Sequence, residues 1–184
     1  MDYLEYFDIV DENNILTGEK RLRTDAHTQG LWHRTVHIYL FREAEADIEF
    51  LVHLRAKTKD SHPNEWDTRF GGHIKSGETV EDAVIGELRD EIGLEIDFPK
   101  IIKGEIYKRD KYPNREFTKV FYYNFTGEID DLKFNDGEVQ EVKLMKSNDI
   151  LEAIRREPDK WAESEKGFVQ IFNVLKSKLS DYET

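Results

Sequence analysis

The stretch GHIKSGETVEDAVIGELRDEIGL, running from Gly72 to Leu94, decides the reading of this chain. Val80, Val84 and Leu88 recur every four residues, so a helix over Glu78–Ile92 would carry one buried stripe. Thr79 or Ser76 can cap its start, acidic residues crowd its first turn, and Gly93 stands where a left-handed terminator belongs. On such a helix Glu87, Asp90 and Glu91 occupy positions i, i+3 and i+4 and share one face. They fall in the last turn, where the helix dipole disfavours negative charge, and each like-charged pair costs a few tenths of a kcal/mol. A hard divalent cation offsets that cost. Oxygen ligands of this kind suit Mg²⁺ or Mn²⁺, which bind a few carboxylates together with waters and substrate phosphates. From the helix alone, a solvated acidic face explains the pattern equally well.

The flanking glycines and Glu78 shift that balance. Read as a unit, Gly72–Leu94 is G-x5-E-x7-x-E-L-x-D-E-x-G-L. It closely resembles the Nudix box, G-x5-E-x7-R-E-U-x-E-E-x-G-U, where U is a bulky aliphatic residue. Gly72, Glu78, Glu87, Leu88, Glu91, Gly93 and Leu94 match. At ordinary residue usage the matched Gly and Glu positions coincide by chance about once in a million windows. Gly86 departs from the pattern's Arg, and Asp90 from the first of its paired glutamates. In the family that Arg braces the loop and the glutamates, so Gly86 removes a support and weakens the helix by about 1 kcal/mol relative to Ala. The resemblance implies an α/β (α+β) fold, the Nudix α/β/α sandwich with a mixed β-sheet. It implies a Mg²⁺-dependent pyrophosphohydrolase, with Mn²⁺ as a substitute ion. Its metal ligands would be the Gly72 carbonyl, Glu87, Glu91 and, through water, Asp90. Glu87 and Glu91 are then the first catalytic candidates. The general base is Glu91 or a residue outside the box, with Glu116, Glu138 and Glu141 open. For the EVQE segment at 138–141, a plain solvent-facing role is the preferred reading.

Outward from the box, EYFDIVDENNILTGEKRLR reads as a hairpin over about 5–23, turning at Asn13 and Asn14. Strands are expected at His33–Arg42 and Ile48–Leu54, then near Gly104–Lys108, Phe117–Phe125 and Val139–Met145. Two helices close the chain over about 147–179, Asn148–Arg156 behind a Ser147 cap and Lys160–Lys178. A mixed sheet covered by helices follows from that order. No repeat or linker stands out, and the 184 residues suit one domain, 1–184.

Composition narrows the chemistry. The chain has no cysteine, which excludes disulfides, thiolate zinc sites and a cysteine nucleophile, and fits a reducing, cytoplasmic setting. No apolar run reaches the ~18 residues of a membrane span, and the acidic start is unlike a signal peptide. With 27 Lys+Arg against 39 Asp+Glu, the net charge of -12 argues against nucleic acid or an anionic membrane as partner. It would also repel a small-molecule diphosphate unless a metal or a basic pocket intervenes. The oligomeric state is open, a homodimer being one arrangement the sequence admits.

A second resemblance covers most of the chain. RTDAHTQGLWHRTVHIYLF (23–41), RAKTK (55–59) and WDTRFGGH (66–73) are similar to the type I isopentenyl-diphosphate isomerases, a divergent Nudix branch. There, histidines matching His27, His33 and His73 join glutamates around a metal. Basic residues matching Arg23, Arg55 and Lys59 grip the substrate's diphosphate. The isomerase cysteine falls on Gly71, and its Glu-x-Glu strand is half-matched, by Glu116 with Asn114 in the other place. Lost cysteine and retained Glu87 and Glu91 point to hydrolysis. The expected substrate is a nucleoside diphosphate derivative or nucleotide. The alternatives are isopentenyl-diphosphate isomerase activity and a non-catalytic nucleotide-binding module. Taken singly, each of the three histidines reads better as a hydrogen-bonded structural group than as a ligand. His37 and His53 read as core or sheet-face residues. Arg55, Lys57 and Lys59 alternate, so one strand face would aim them at an anion, or they simply form a basic strand end. Trp66, Phe70 and Tyr112 are candidate stacking partners for a base.

Overall fold

The computed structural model describes residues 4–44 and 47–182. The hairpin forms as expected: β1 (Tyr6–Val10) pairs antiparallel with β2 (Leu16–Leu22). Its turn is built by Asp11, whose carboxylate accepts from the Asn13 and Ile15 amides, with Asn14 at φ 66°. A short helix that the pattern did not reveal, α1 (Arg23–Gln29), follows and ends on left-handed Gly30.

The large sheet contains β3 (His33–Ala44), β4 (Asp47–Arg55), β5 (Trp66–Asp67), β6 (Ile102–Lys111), β7 (Asn114–Asn124) and β8 (Val139–Lys146). β3 and β7 run parallel in register, His33 beside Glu116 and Thr35 beside Thr118, while the other pairings are antiparallel. The sheet is therefore mixed. From Ile38 to Phe41 both faces of β3 are apolar, and each finds a helical layer. Val36, Ile38 and Leu40 pack with Val84, Leu88 and Ile92 of α2 (Val80–Ile92). Tyr39 and Phe41 pack with Ile150 of α3 (Ser147–Arg156) and Phe168 and Leu175 of α4 (Glu165–Tyr182). This is the expected α/β/α sandwich. Each fully buried aliphatic side chain in these layers is worth roughly 1.5–3 kcal/mol.

One feature places the site. β3 and β4 pair only between Phe41↔Phe50 and Ala44↔Asp47, and then part. The segment 66–73 fills the gap as a wedge. Its start pairs with β4 through His53↔Asp67 and Leu54↔Trp66, and its end with β3 through Ile38↔Phe70 and Thr35↔His73. The Val36 amide donates to the Gly72 carbonyl at 2.9 Å.

Two helix starts differ from expectation. Ser147 is not a cap: its Oγ donates to Asp47 Oδ1 at 2.6 Å, and α3 begins at Ser147 with Lys146 before it. The last helix begins at Glu165 instead of Lys160. Residues Pro158–Lys160 form a 3-10 turn, and Trp161 is extended and bridges Trp66, which delays the helix.

Candidate active site

The helix α2 is punctuated as its sequence requires. Thr79 Oγ1 accepts from the Asp82 amide, Asp82 returns a bond to the Thr79 amide, and Gly93 closes the helix in the left-handed region. Glu78 lies before the helix, and its carboxylate accepts from the Lys75 amide at 2.8 Å, bracing the turn. The Glu87 carboxylate presses on the wedge at Gly72, where a Cβ would stand only 2.5 Å from Glu87 Oε1. A side chain at Gly72 would push that carboxylate aside. Glu91 is 5% exposed, and its Oε2 has no hydrogen-bond partner among the described residues. Burial pushes Glu87 up to about 7. It also raises Glu91 well above its ordinary value, with Glu87 repelling it further. A buried carboxylate without a donor suits a cation. The Gly72 carbonyl is engaged by Val36 on one side. Asp90, by contrast, is exposed and paired with Arg89 at 3.1 Å. At Gly86 a Cβ would meet only Arg89 Nη2, at 3.9 Å, so the position of the pattern's Arg is open space.

Gly72, Glu78, Glu87 and Asp90 border a cleft of about 1090 Å³ that Arg23, Arg55 and Lys59 also line, with Glu91 buried behind it. Arg23 pairs with Glu5 at 2.8 Å, Arg55 lies 3.6 Å from buried Asp67, and Lys59 is paired with Glu138. Lys57 does not join them. β4 ends at Arg55 and the chain turns, with the Lys59 amide donating to the Ala56 carbonyl, which leaves Lys57 exposed. The alternation was not that of a strand. The EVQE segment divides: Glu138 lines the cleft, while Glu141 is exposed beyond it. Of the candidate stacking residues, Phe70 is core at 1% exposure, and none of the three lines the cleft. His53 is buried against Phe70, but His37 lines the cleft instead of closing the core.

A second centre lies in the same cleft. His27 Nε2 stands 3.2 Å from both His33 Nε2 and His73 Nε2. Glu116 Oε1 is 3.8 Å from His33 and 4.0 Å from His73. These ligand atoms lie within 4.8 Å of one another. Tetrahedral ligands at ordinary metal–nitrogen lengths are ~3.3 Å apart, so the nitrogen spacing fits an ion. His33 Nδ1 donates to the Leu31 carbonyl at 2.8 Å, which turns its Nε2 lone pair inward. Burial lowers the pKa of all three histidines, keeping them neutral as ligands must be. The three histidines, which singly read as hydrogen-bonded structural groups, lie in one cluster with Glu116 that could hold a metal ion. The isomerase resemblance groups these three histidines, and the fold brings them together.

Sequence reasoning missed a buried charge network. Asp67, fully buried, accepts from the Arg69 amide and from Arg69 Nε at 3.2 and 3.1 Å, and Arg69 Nη1 reaches Glu163 at 3.6 Å. Charged residues between Trp66 and Phe70 were the available signal.

A carboxylate pressed against a glycine, in a cleft that guanidinium and ammonium groups also line, brings together groups that could hold a cation and an anion. The chain belongs to the Nudix family: the NUDIX domain matches residues 31–170. An uncharacterised Nudix hydrolase of Clostridium acetobutylicum is 34% identical over 139 residues, 73% of this chain and 66% of that protein, so the match spans just under two thirds of that relative. An isopentenyl-diphosphate Δ-isomerase of Escherichia coli is 33% identical over 159 residues, covering 84% of this chain and 83% of its own length. The crystal structure of DR0079 from Deinococcus radiodurans has the same fold, with TM-score 0.71, 23% identity, and coverage of 90% of this chain and 96% of that one. Among the described residues no helix is long and apolar enough to cross a membrane.

Proposed function

We propose that this chain is a metal-dependent hydrolase that cleaves the pyrophosphate bond of a nucleoside diphosphate derivative or nucleotide. The observation that carries the reading is the buried Glu87–Glu91 pair, with its unpartnered oxygen, against Gly72. Glu87, Glu91 and the Gly72 carbonyl would hold Mg²⁺ or Mn²⁺, and exposed Asp90 would engage it through water. Such an ion supplies charge neutralisation on the phosphate oxygens and a more acidic bound water. The protein's own part is binding and proton removal. Arg23, Arg55 and Lys59 line the cleft to grip the diphosphate, which offsets the repulsion of a chain at -12. Glu138, beside Lys59 in the cleft, joins Glu91 as a proton acceptor for the attacking water. Glu116 is better read as a ligand of the histidine centre than as the base. Three imidazoles and one carboxylate suit Zn²⁺, Fe²⁺ or Mn²⁺ better than Mg²⁺. The cysteine-free composition supports a reducing, cytoplasmic setting.

Isomerase activity is disfavoured by Gly71. Its φ is +123°, and a Cβ there would lie 2.2 Å from the Val36 carbonyl oxygen, so this backbone has no room for an acidic side chain. The test is a panel of nucleoside diphosphate derivatives and triphosphates with Mg²⁺ or Mn²⁺, on wild type and Glu91→Gln. The expected result is turnover that falls at least tenfold in the variant, about 1.4 kcal/mol of barrier. Absence of turnover across the panel, or a smaller loss, refutes the hydrolase.

A further inference from the structure

On the sheet face that β3, β7 and β6 share, α3 and α4 cover Tyr39, Val120 and Tyr122. His33, Thr35 and His37 continue the same face of β3 away from Tyr39, and each of Thr35 and His37 lines the cleft. Arg109 of β6 stands opposite Glu116, so it edges this open floor from the far strand. Arg69 enters from the wedge. It precedes Phe70, whose ring turns to the opposite core, so Arg69 takes the face of His37 and Tyr39.

The floor is cationic by construction. Asp67 lies at zero exposure between two guanidiniums, Arg55 at 3.6 Å and Arg69 at 3.1 Å, and fixes both. Two positive charges thus share one buried carboxylate. Arg69 makes its second contact with Glu163, whose carboxyl is pushed up by burial toward its neutral form. Arg109 has no hydrogen bond or ion pair from its side chain among the described residues. His37 is held neutral, its pKa brought down to about 3 by burial, with Arg69 and Arg109 opposing a further charge. A neutral imidazole can donate to an anion without being neutralised by one. The wall opposite carries Glu87 and Glu138. The hydrolase proposed above therefore has a cation-seeking wall and, on the open sheet face, an anion-seeking floor.

We infer that Arg69, Arg109 and His37 form a second anion pocket, which takes a phosphate or carboxylate group on the part of the substrate beyond its diphosphate. The inference rests on the hydrolase reading for the placement of that diphosphate at Glu87 and Glu91. It deepens that reading to a substrate class: diphosphates whose second arm is itself anionic. His37 lies four residues along β3 from His33, roughly 13 Å, while Arg109 stands level with Glu116, so the pocket would begin beside the histidine centre and extend along β3 away from it. Asp67 is a positioning residue here, since it acts only through Arg55 and Arg69.

The test separates the pocket from the hydrolysis. Inorganic phosphate is titrated calorimetrically into the full chain in EDTA, so that no metal holds an anion at the diphosphate end. Wild type should bind, Arg109→Gln should weaken binding at least fivefold, and Lys59→Gln should change it less than twofold. Arg109 is exposed, so its loss leaves the fold intact, which circular dichroism checks. No binding by wild type, an unchanged constant in Arg109→Gln, or a loss confined to Lys59→Gln overturns the pocket. With Mg²⁺, a nucleoside diphosphate hexuronate should exceed the matching hexose in kcat/KM at least tenfold through KM, and Arg109→Gln should erase the preference. Equal values for the two sugars overturn a carboxylate-bearing arm, and a matched pair with and without a terminal phosphate then decides the phosphate-bearing one. Phosphate binding without turnover of any diphosphate sinks the hydrolase reading alone.

Discussion

Replacing Glu87 by Gln should make the metal-free protein more stable while removing its metal site. Glu87 would titrate near 4.5 in the unfolded chain, but burial moves it to about 7 in the fold. Below pH 4.5 the group is protonated in both states and contributes nothing. As the pH rises toward 7 the folded state holds a proton that the unfolded state releases readily, so stability falls. Above about 7 the full penalty is present. At 1.36 kcal/mol per tenfold in proton affinity it reaches about 3 kcal/mol, an upper figure for a side chain that keeps some contact with water. Glu91 is raised in the same direction and adds to it. The buried histidines titrate with the opposite sign at lower pH, so the comparison is between wild type and Glu87→Gln, in which they cancel. For a chain of this size 3 kcal/mol corresponds to roughly 6–12 °C in Tm. In EDTA near pH 8, Glu87→Gln should melt above wild type by up to that amount, and near pH 4.5 the two should converge. Saturating Mg²⁺ should raise wild type and leave the variant nearly unmoved, because only the former binds the ion in the folded state. The reasoning fails if the variant melts at or below wild type in EDTA near pH 8.

Two further outcomes concern the wedge. Gly71→Cys should destabilise the fold by about 2–4 kcal/mol in urea titrations, because φ +123° and the Val36 carbonyl both oppose a side chain, and should yield no alkene isomerisation. A variant of wild-type stability would show the backbone yields there. His73→Gln should abolish the visible absorption of Co²⁺ bound at the histidine centre while Mg²⁺ still protects Glu87 and Glu91. An unchanged spectrum would remove His73 from the ligand set.

Local features of the sequence were legible wherever the physics is local. Val80, Val84, Leu88, Thr79 and Gly93 announce α2 because stripe, cap and terminator are all within one helix. Misreadings came where distant residues intervene. Ser147 looks like a cap, yet its hydroxyl serves Asp47 a hundred residues earlier. Arg55, Lys57 and Lys59 alternate like a strand, but β4 ends at Arg55 with the chain turning toward the 138–140 segment. The isomerase resemblance groups the three histidines, but nothing in their own spacing brings residue 27 to residue 73. Asp67 and Arg69 were similarly invisible as a pair with Glu163, which arrives just before α4.

The parting of β3 and β4 has a consequence for assembly. A sheet usually grows by hairpins, each new strand zipping onto the last, with little chain to close. Here the site depends on a segment seated between two strands that have parted. The wedge pairs with both β4 and β3, and Glu116 stands beside His33 only through the parallel pairing of β3 with β7. No stretch shorter than His27 to Glu116 contains the histidine centre, and loop closure on that scale is costly before any contact rewards it. Local fraying at the seam would therefore cost metal affinity well before it costs the fold. By the same linkage, an ion bound at the proposed histidine centre would oppose that fraying.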